Sequence, residues 1–203
     1  MVLAGQYLER PALISAGGVT LEGLYHRGSR RPALLVCPAP GPGGGMDAAP
    51  IAELAWASAR AGHASLRFQY RGVGASAGEP DGARAVEDAE AALQHLAQTA
   101  GPRLALASLG AGAAVALALA RNHPEIDRVV LVAPDRLPEP PLPAARLLVL
   151  LPERGGATSL REAEAAVGAA GRVALVPEAD PLFRAGLPQL GKAALDWVTG
   201  NAR

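Results

Sequence analysis

The regular alternation of short apolar runs with helical patterns constrains the fold most. The predicted strands are Leu13–Ser15, Val19–His26, Ala33–Cys37, Ala64–Gln69, Arg103–Ala107, Arg128–Ala133, Arg146–Leu151 and Arg172–Val176. Such alternation is typical of α/β folds, in which helices cover both faces of a parallel sheet. The first two strands have no helical pattern between them, which predicts an antiparallel start. The sequence therefore predicts a mostly parallel, eight-stranded, doubly wound sheet with helices on both faces.

Helical patterns fill the intervals between the later strands. In Arg84–Gln98 the apolar residues at helical spacing are Val86, Ala89, Leu93 and Leu96. Asp88 lies off that stripe and is expected to face solvent. Pro188–Val198 has a similar apolar face, whereas the segment after Ser108 is apolar on every side and predicts a buried helix.

The 203 residues predict a single domain over residues 1–203, because no segment has the composition of a second domain and no repeat occurs. The connection Pro134–Pro143 is rich in proline and too short to form a helical lid. We therefore expect no cap domain. Any site at the carboxyl ends of the strands would then be open.

Four segments resemble the small, lidless α/β-hydrolases, and together they cover nearly the whole chain. They are CPAPGPGGGMDAAP (37–50), AGHASLRFQYRGVGASAGEPDG (61–82), LALASLGAGAAVALALA (104–120) and VPEADPLFRAGLPQLGKAALDWV (176–198). In that order they resemble the oxyanion loop, the fourth strand with its loop, the nucleophile turn, and the last strand with the histidine loop and final helix. The resemblance implies an α/β-hydrolase fold.

The resemblance also implies where a catalytic triad would lie. These enzymes carry a serine on a strand-to-helix turn, then an acid, then a histidine. Ser108 takes the nucleophile position, within Leu106-Ala107-Ser108-Leu109-Gly110, where the family has Gly-x-Ser-x-Gly. Gly155 takes the position of the acid and Pro181 that of the histidine. Both partners of the serine are therefore replaced.

None of the histidines in the sequence is well placed to serve as the base. The four histidines are His26, His63, His95 and His123, and only His123 follows Ser108. It lies at the end of the predicted buried helix, roughly 20 Å from the turn at 1.5 Å per residue. The sequence thus predicts a degenerate serine-hydrolase site.

Two further features surround the predicted site. The resemblance makes the amide of Leu109 and the loop glycines Gly43, Gly44 and Gly45 candidates for an oxyanion hole or a ligand site. Cys37 ends the third strand in the same region. Its thiol would react only with a lowered pKa, so the alternative is an inert buried cysteine.

Three acidic residues flank the expected site. Asp135 follows the sixth strand, and Glu153 and Asp180 adjoin the two replaced triad positions. Glu153 and Asp180 would line a carboxylate pocket or remain solvated loop acids, whereas Asp135 has no obvious task without a histidine to orient. A second class of protein is suggested by Gly110–Val115, since Gly-x-Gly at a strand-to-helix turn loosely resembles a dinucleotide fingerprint, although its third glycine is missing.

Composition argues against several classes of partner. The chain has 19 basic and 19 acidic residues and no basic run, so we expect no nucleic-acid binding. Its longest apolar run is too short to span a bilayer, and no membrane association is expected. The single cysteine excludes an internal disulfide and fits a reducing cytoplasm. No motif calls for a metal or cofactor.

Three functions remain open from the sequence. The first is a non-catalytic or very weakly active protein that binds a small acyl-type or apolar ligand, or a protein partner, at the degenerate site. The second is an active serine esterase that uses Ser108 with an unrecognised base. The third is a structural or regulatory subunit, or a homodimer, that makes contact through its edge strand or last helix.

Overall fold

The structure is a computed structural model that describes residues 8–41, 44–126, 128–137, 146–167 and 171–201. Within these ranges the chain forms one eight-stranded sheet. Its strands are β1 (Glu9–Ala16), β2 (Val19–His26), β3 (Arg30–Cys37), β4 (His63–Phe68), β5 (Leu104–Leu109), β6 (Arg128–Val132), β7 (Arg146–Pro152) and β8 (Gly171–Val176).

Five α-helices of the described chain pack on this sheet. They are α1 (Ala49–Arg60), α2 (Ala85–Ala100), α3 (Gly112–Asn122), α4 (Leu160–Val167) and α5 (Leu187–Thr199). One apolar core lies between the sheet and α2, α3 and α4, and a second lies between the opposite face and α1 and α5. None of these helices combines the length and apolarity needed to cross a bilayer.

The strand order β1-β2-β4-β3-β5-β6-β7-β8 determines where a site can form. β1, β2 and β4 pair antiparallel, and the remaining neighbours pair parallel. After β3 the chain forms β4, which pairs with one side of β3, and it later forms β5, which pairs with the other side of β3. The carboxyl ends of β3 and β5 therefore flank a topological switch point, where open α/β sheets bind ligands.

The predicted fold class is confirmed: the sheet is mostly parallel, begins antiparallel and carries helices on both faces. Two local predictions are wrong. β5 extends to Leu109 instead of ending at Ala107. Asp88 is fully buried instead of facing solvent, because its carboxylate pairs with the buried guanidinium of Arg71. Residues 138–143 of the proline-rich connection lie outside the described residues.

The amino edge of the parallel sheet is rich in arginine. Five of its six strands have an arginine at or next to the first residue: Arg30, Arg31, Arg103, Arg128, Arg146 and Arg172. No basic run in the linear sequence reveals this row, because successive members belong to different strands. Parallel pairing brings the strand starts to one edge.

Candidate active site

The turn that joins β5 to α3 is centred on Gly110. β5 continues through Ser108 and Leu109, and α3 begins at Gly112. Gly110 has a φ of +54°, whereas Ser108 is not among the described residues with positive φ. A strained turn of this kind is where the fold carries its nucleophile. The prediction that Ser108 occupies the turn is therefore corrected: Ser108 lies two residues earlier, inside the strand.

Ser108 is enclosed by the sheet. It is in register with Cys37 of β3 and Leu131 of β6, and its relative exposure is 0%. Its hydroxyl has no hydrogen-bond partner among the described residues. A hydroxyl in this position neither meets solvent nor has a base to accept its proton.

Gly112 marks a close crossing between α3 and the end of β3. A Cβ atom at this position would lie 2.5 Å from the carbonyl oxygen of Pro38 and 2.7 Å from that of Cys37. Only glycine fits there without moving backbone. This packing requirement accounts for the glycine that resembled a dinucleotide fingerprint. It also lets Gly-x-Ser-x-Gly be aligned two residues later, as Ser108-Leu109-Gly110-Ala111-Gly112.

Gly155 and Pro181 lie side by side, as expected for neighbouring triad positions. A Cβ atom on Gly155 would lie 3.3 Å from Cγ of Pro181. Neither residue offers an ionisable group. The acids beside them hold backbone instead: Glu153 accepts the amide of Glu178 at 2.7 Å, and Asp180 accepts the amides of residues 182 and 184. These hydrogen bonds, above all the one from residue 184, lower the pKa of Asp180.

The histidines have other partners or lie on other elements. His26 pairs with the hydroxyl of Ser65 at 3.2 Å, and His63 donates to the carbonyl of Pro32 at 2.8 Å. His123 contacts Glu90 at 2.8 Å and Glu125 at 3.1 Å. His95 lies on α2. None is within hydrogen-bond distance of the Ser108 hydroxyl.

The oxyanion-loop candidates are held by their own neighbours. The amide of Gly44 donates to the carbonyl of Gly41 at 3.1 Å, and a Cβ atom on Gly44 would lie 2.0 Å from the Ala39 carbonyl oxygen. Gly45 packs against the side-chain amide of Gln69, which accepts the amide of Met46 at 3.1 Å. Gly43 lies outside the described residues. Packing within the loop thus accounts for Gly44 and Gly45.

Cys37 has no exposed surface, and burial raises the pKa of its thiol to about 12. The thiol therefore stays protonated at neutral pH and is a poor nucleophile. Leu109, whose amide was the other oxyanion candidate, is partly exposed at the end of β5, in register with Val132.

Asp135 is an acidic residue beside the turn. It is exposed, and its Oδ1 would lie 3.6 Å from a Cβ atom on Gly110. A side chain at position 110 would thus point towards this carboxylate. Sequence reasoning identified Asp135 but assigned it no task, because no histidine is placed for it to orient.

Two buried charges that sequence reasoning missed hold the loop after β4. Asp88 accepts the backbone amide of Arg71 at 2.9 Å and its Nε at 2.9 Å. On the same stretch the hydroxyl of Tyr70 donates to the carbonyl of Pro38 at 3.2 Å. In the sequence, the motif Arg-Gly-x-Gly-x-Ser was the only signal of this buried pair.

Across the described residues, no group of three or more possible ligands could hold a metal ion.

Comparison with known proteins gives consistent matches. A profile of the family described as serine aminopeptidase, S33, matches residues 31–161. An α/β serine hydrolase homologue from Coxiella burnetii is 23% identical, with a TM-score of 0.76, over 92% of this chain and 95% of that one. An α/β serine hydrolase without lid from Xanthomonas campestris is 20% identical, with a TM-score of 0.79, over 95% and 94%.

A dienelactone hydrolase from Anabaena variabilis is 19% identical, with a TM-score of 0.77, over 98% of this chain and 100% of that one. No curated protein matches the sequence. The structural matches share the fold described above, and the profile spans more than half of the chain. The chain therefore belongs to the serine aminopeptidase S33 family and is a small, lidless α/β-hydrolase-fold protein.

Proposed function

We propose that this protein is a non-catalytic member of the hydrolase superfamily that binds a small, neutral acyl-type ligand at the carboxyl edge of its sheet. The observation that carries the proposal is the turn after β5. The residue with positive φ there is Gly110, which has no side chain to act as nucleophile. The nearby serine, Ser108, is buried and unpartnered.

The chemistry supports the same conclusion. Acyl transfer by serine needs a base within hydrogen-bond reach and an acid that orients the base. Gly110, Gly155 and Pro181 supply none of the three groups. Removing the serine or the histidine of such a site lowers turnover on the order of 10⁶-fold in a well-studied protease. Loss of all three is incompatible with a dedicated ester hydrolase.

The retained backbone supports a binding role. The positive φ of Gly110 and the close crossing at Gly112 preserve the shape of a strand-to-helix turn at the switch point. Asp135 places a carboxylate beside the turn, which disfavours an anionic ligand there and suits a neutral one.

The test uses a fluorophosphonate probe and p-nitrophenyl acetate on the wild type, S108A and G110S. We expect no labelling and no turnover above background in any of the three, since the wild type lacks the nucleophile and G110S lacks a base. The triple variant G110S/G155D/P181H restores all three groups and is expected to gain probe labelling. S58A is the matched control, because Ser58 is also a buried serine without a partner.

Labelling of the wild type that disappears in S108A but persists in S58A would establish the alternative, an active serine esterase, and overturn the proposal. A thermal-shift screen of short-chain acyl esters and amides then tests binding. A rise in melting temperature that Gly110→Trp abolishes supports a ligand at the turn, because ligand binding to the native state stabilises it. No rise with any compound would contradict the binding role.

A further inference from the structure

A cavity at the amino edge of the sheet, opposite the candidate active site, is lined by arginine. Its volume is about 380 Å³, within the range of small-molecule sites. Arg31, Arg103 and Arg128 line it, together with Glu125, Thr199 and Gly200. We infer that this cavity binds a small polyanion that carries two or more phosphate or carboxylate groups, independently of the function proposed above.

The charge of the cavity carries the inference. Three arginines line one space, and Glu125 is the only acid among its described lining residues. Within the described part of the chain, no carboxylate lies within 4.0 Å of a nitrogen of Arg31, Arg103 or Arg128. Asp127, next to Arg128 in the sequence, is not among the described residues. Clustered charge of one sign attracts ligands of the other sign.

Two glycines lie against these guanidinium groups. A Cβ atom on Gly101 would lie 3.3 Å from Nε and Nη2 of Arg31, and one on Gly200 would lie 3.5 Å from Nη2 of Arg128. The Arg128 group is also fixed, since Nη1 donates to the Trp197 carbonyl at 3.2 Å and the group stacks over the Trp197 ring. A guanidinium held in place loses less freedom when it binds an anion.

The alternative to anion binding is a purely structural role, in which the arginines of the cavity cap helices. Helices α2 and α5 end next to the cavity, at Gly101 and Gly200, and arginine near a helix C-terminus is favourable. A guanidinium has five N–H donors, so one hydrogen bond to a helix carbonyl leaves donors for an anion. Arginine also binds phosphate and carboxylate in a bidentate manner. The two roles differ in whether an anion binds.

The experiment titrates sodium tripolyphosphate, and separately citrate, into the wild-type protein at low ionic strength by isothermal calorimetry. We expect saturable binding that weakens as salt is added, because the charges lie at the surface. R103A and R31A should each weaken it about tenfold, equivalent to ~1.4 kcal/mol. R103K keeps the positive charge but loses the bidentate donor geometry of the guanidinium. Its affinity for the anion should therefore lie between those of R103A and the wild type.

R161A is the matched control, because Arg161 is exposed on α4, away from the cavity. The affinity of R161A for either anion should equal that of the wild type. Circular dichroism of each variant separates loss of the site from loss of the fold. Binding of tripolyphosphate but not citrate identifies a phosphorylated ligand, and binding of both admits a polycarboxylate. No binding of either anion, or an equal loss in R161A, would overturn the inference and leave the arginines only their capping role.

Discussion

The two edges of the sheet differ in what the chain has kept at each. At the carboxyl edge the strand-to-helix turn of the fold is present, with a positive φ at Gly110 and a close crossing at Gly112, but the positions that we propose for the triad hold Gly110, Gly155 and Pro181. At the amino edge, arginines from several strands line a cavity instead. The fold and the chemistry on it are therefore separable, as a shared superfold implies.

The difference follows from what maintains each edge. Shape at the carboxyl edge depends on buried contacts, such as the Arg71–Asp88 pair below the loop after β4. These contacts hold whether or not a triad is present. The amino edge carries exposed charge instead, where a substitution changes the potential more than the packing. Substitutions should therefore affect mainly stability at the first edge and mainly binding at the second.

The largest effect is expected from Asp88→Ala, which leaves the Arg71 guanidinium buried without its main partner. Removing one member of a buried ion pair costs about 3–5 kcal/mol of unfolding free energy. Urea denaturation measures the loss. Glu87→Ala is the control: this half-exposed carboxylate also contacts Arg71, at 3.3 Å, but exposed ion pairs contribute little, so its loss should change stability far less. Equal losses in both variants would mean that burial does not distinguish the two acids.

Gly112→Ala should rank second. The new Cβ atom would meet the carbonyl oxygens of Pro38 and Cys37, so backbone must move, at about 1–3 kcal/mol for such overpacking. Gly82→Ala is the matched control, because a Cβ atom there meets nothing within 4 Å. The urea midpoints of unfolding of Gly112→Ala and Gly82→Ala are compared. If Gly112→Ala is as stable as Gly82→Ala, the crossing of α3 over β3 is looser than described.

The sequence predicts the sheet well, because parallel strands buried on both faces appear as continuous apolar runs. It locates the end of β5 poorly, since Ser108 is flanked by apolar residues and nothing marks where the strand stops. Because of that two-residue difference, the sequence assigned the nucleophile position to Ser108, whereas the positive-φ turn lies at Gly110. The contact between Gly155 and Pro181 is a finding of the structure, because the resemblance assigned the two positions separately.

Other features depend on contacts that are remote in sequence. Asp88 is an ordinary surface acid by helical spacing, and only its pairing with Arg71 from another element explains its burial. Helix α4 was not singled out, because only Ala163 and Val167 among its residues are buried. The arginine row is likewise invisible until the strands are aligned.

A smaller effect of opposite sign is expected from Ser108→Ala. A buried hydroxyl without a partner destabilises the fold, so its removal should raise the unfolding free energy by about 1 kcal/mol. Ser65→Ala provides the contrast, because that hydroxyl donates to the Ala55 carbonyl at 2.9 Å and its loss should lower stability by a similar amount. Destabilisation in both variants would indicate that Ser108 has a partner after all.

The smallest effect concerns the pH dependence of the amino edge. Burial alone would lower the pKa of His123, but hydrogen bonds to Glu90 and Glu125 outweigh it and raise the pKa above its ordinary value of 6.5. A raised folded-state pKa means that the stabilisation is complete below the unfolded value and is lost as pH rises through the folded one. Urea midpoints of the wild type should therefore fall slightly between about pH 5 and pH 8, relative to those of His123→Gln.

His123→Gln isolates this contribution because glutamine keeps a hydrogen-bonding side chain of similar length without the titration. His95→Gln is the second control, since no ion pair involving His95 is found among the described residues. If the wild type and His123→Gln show the same pH profile, the ion pairs at the end of α3 contribute nothing to stability. The stability of the amino edge would then not depend on the charge of His123.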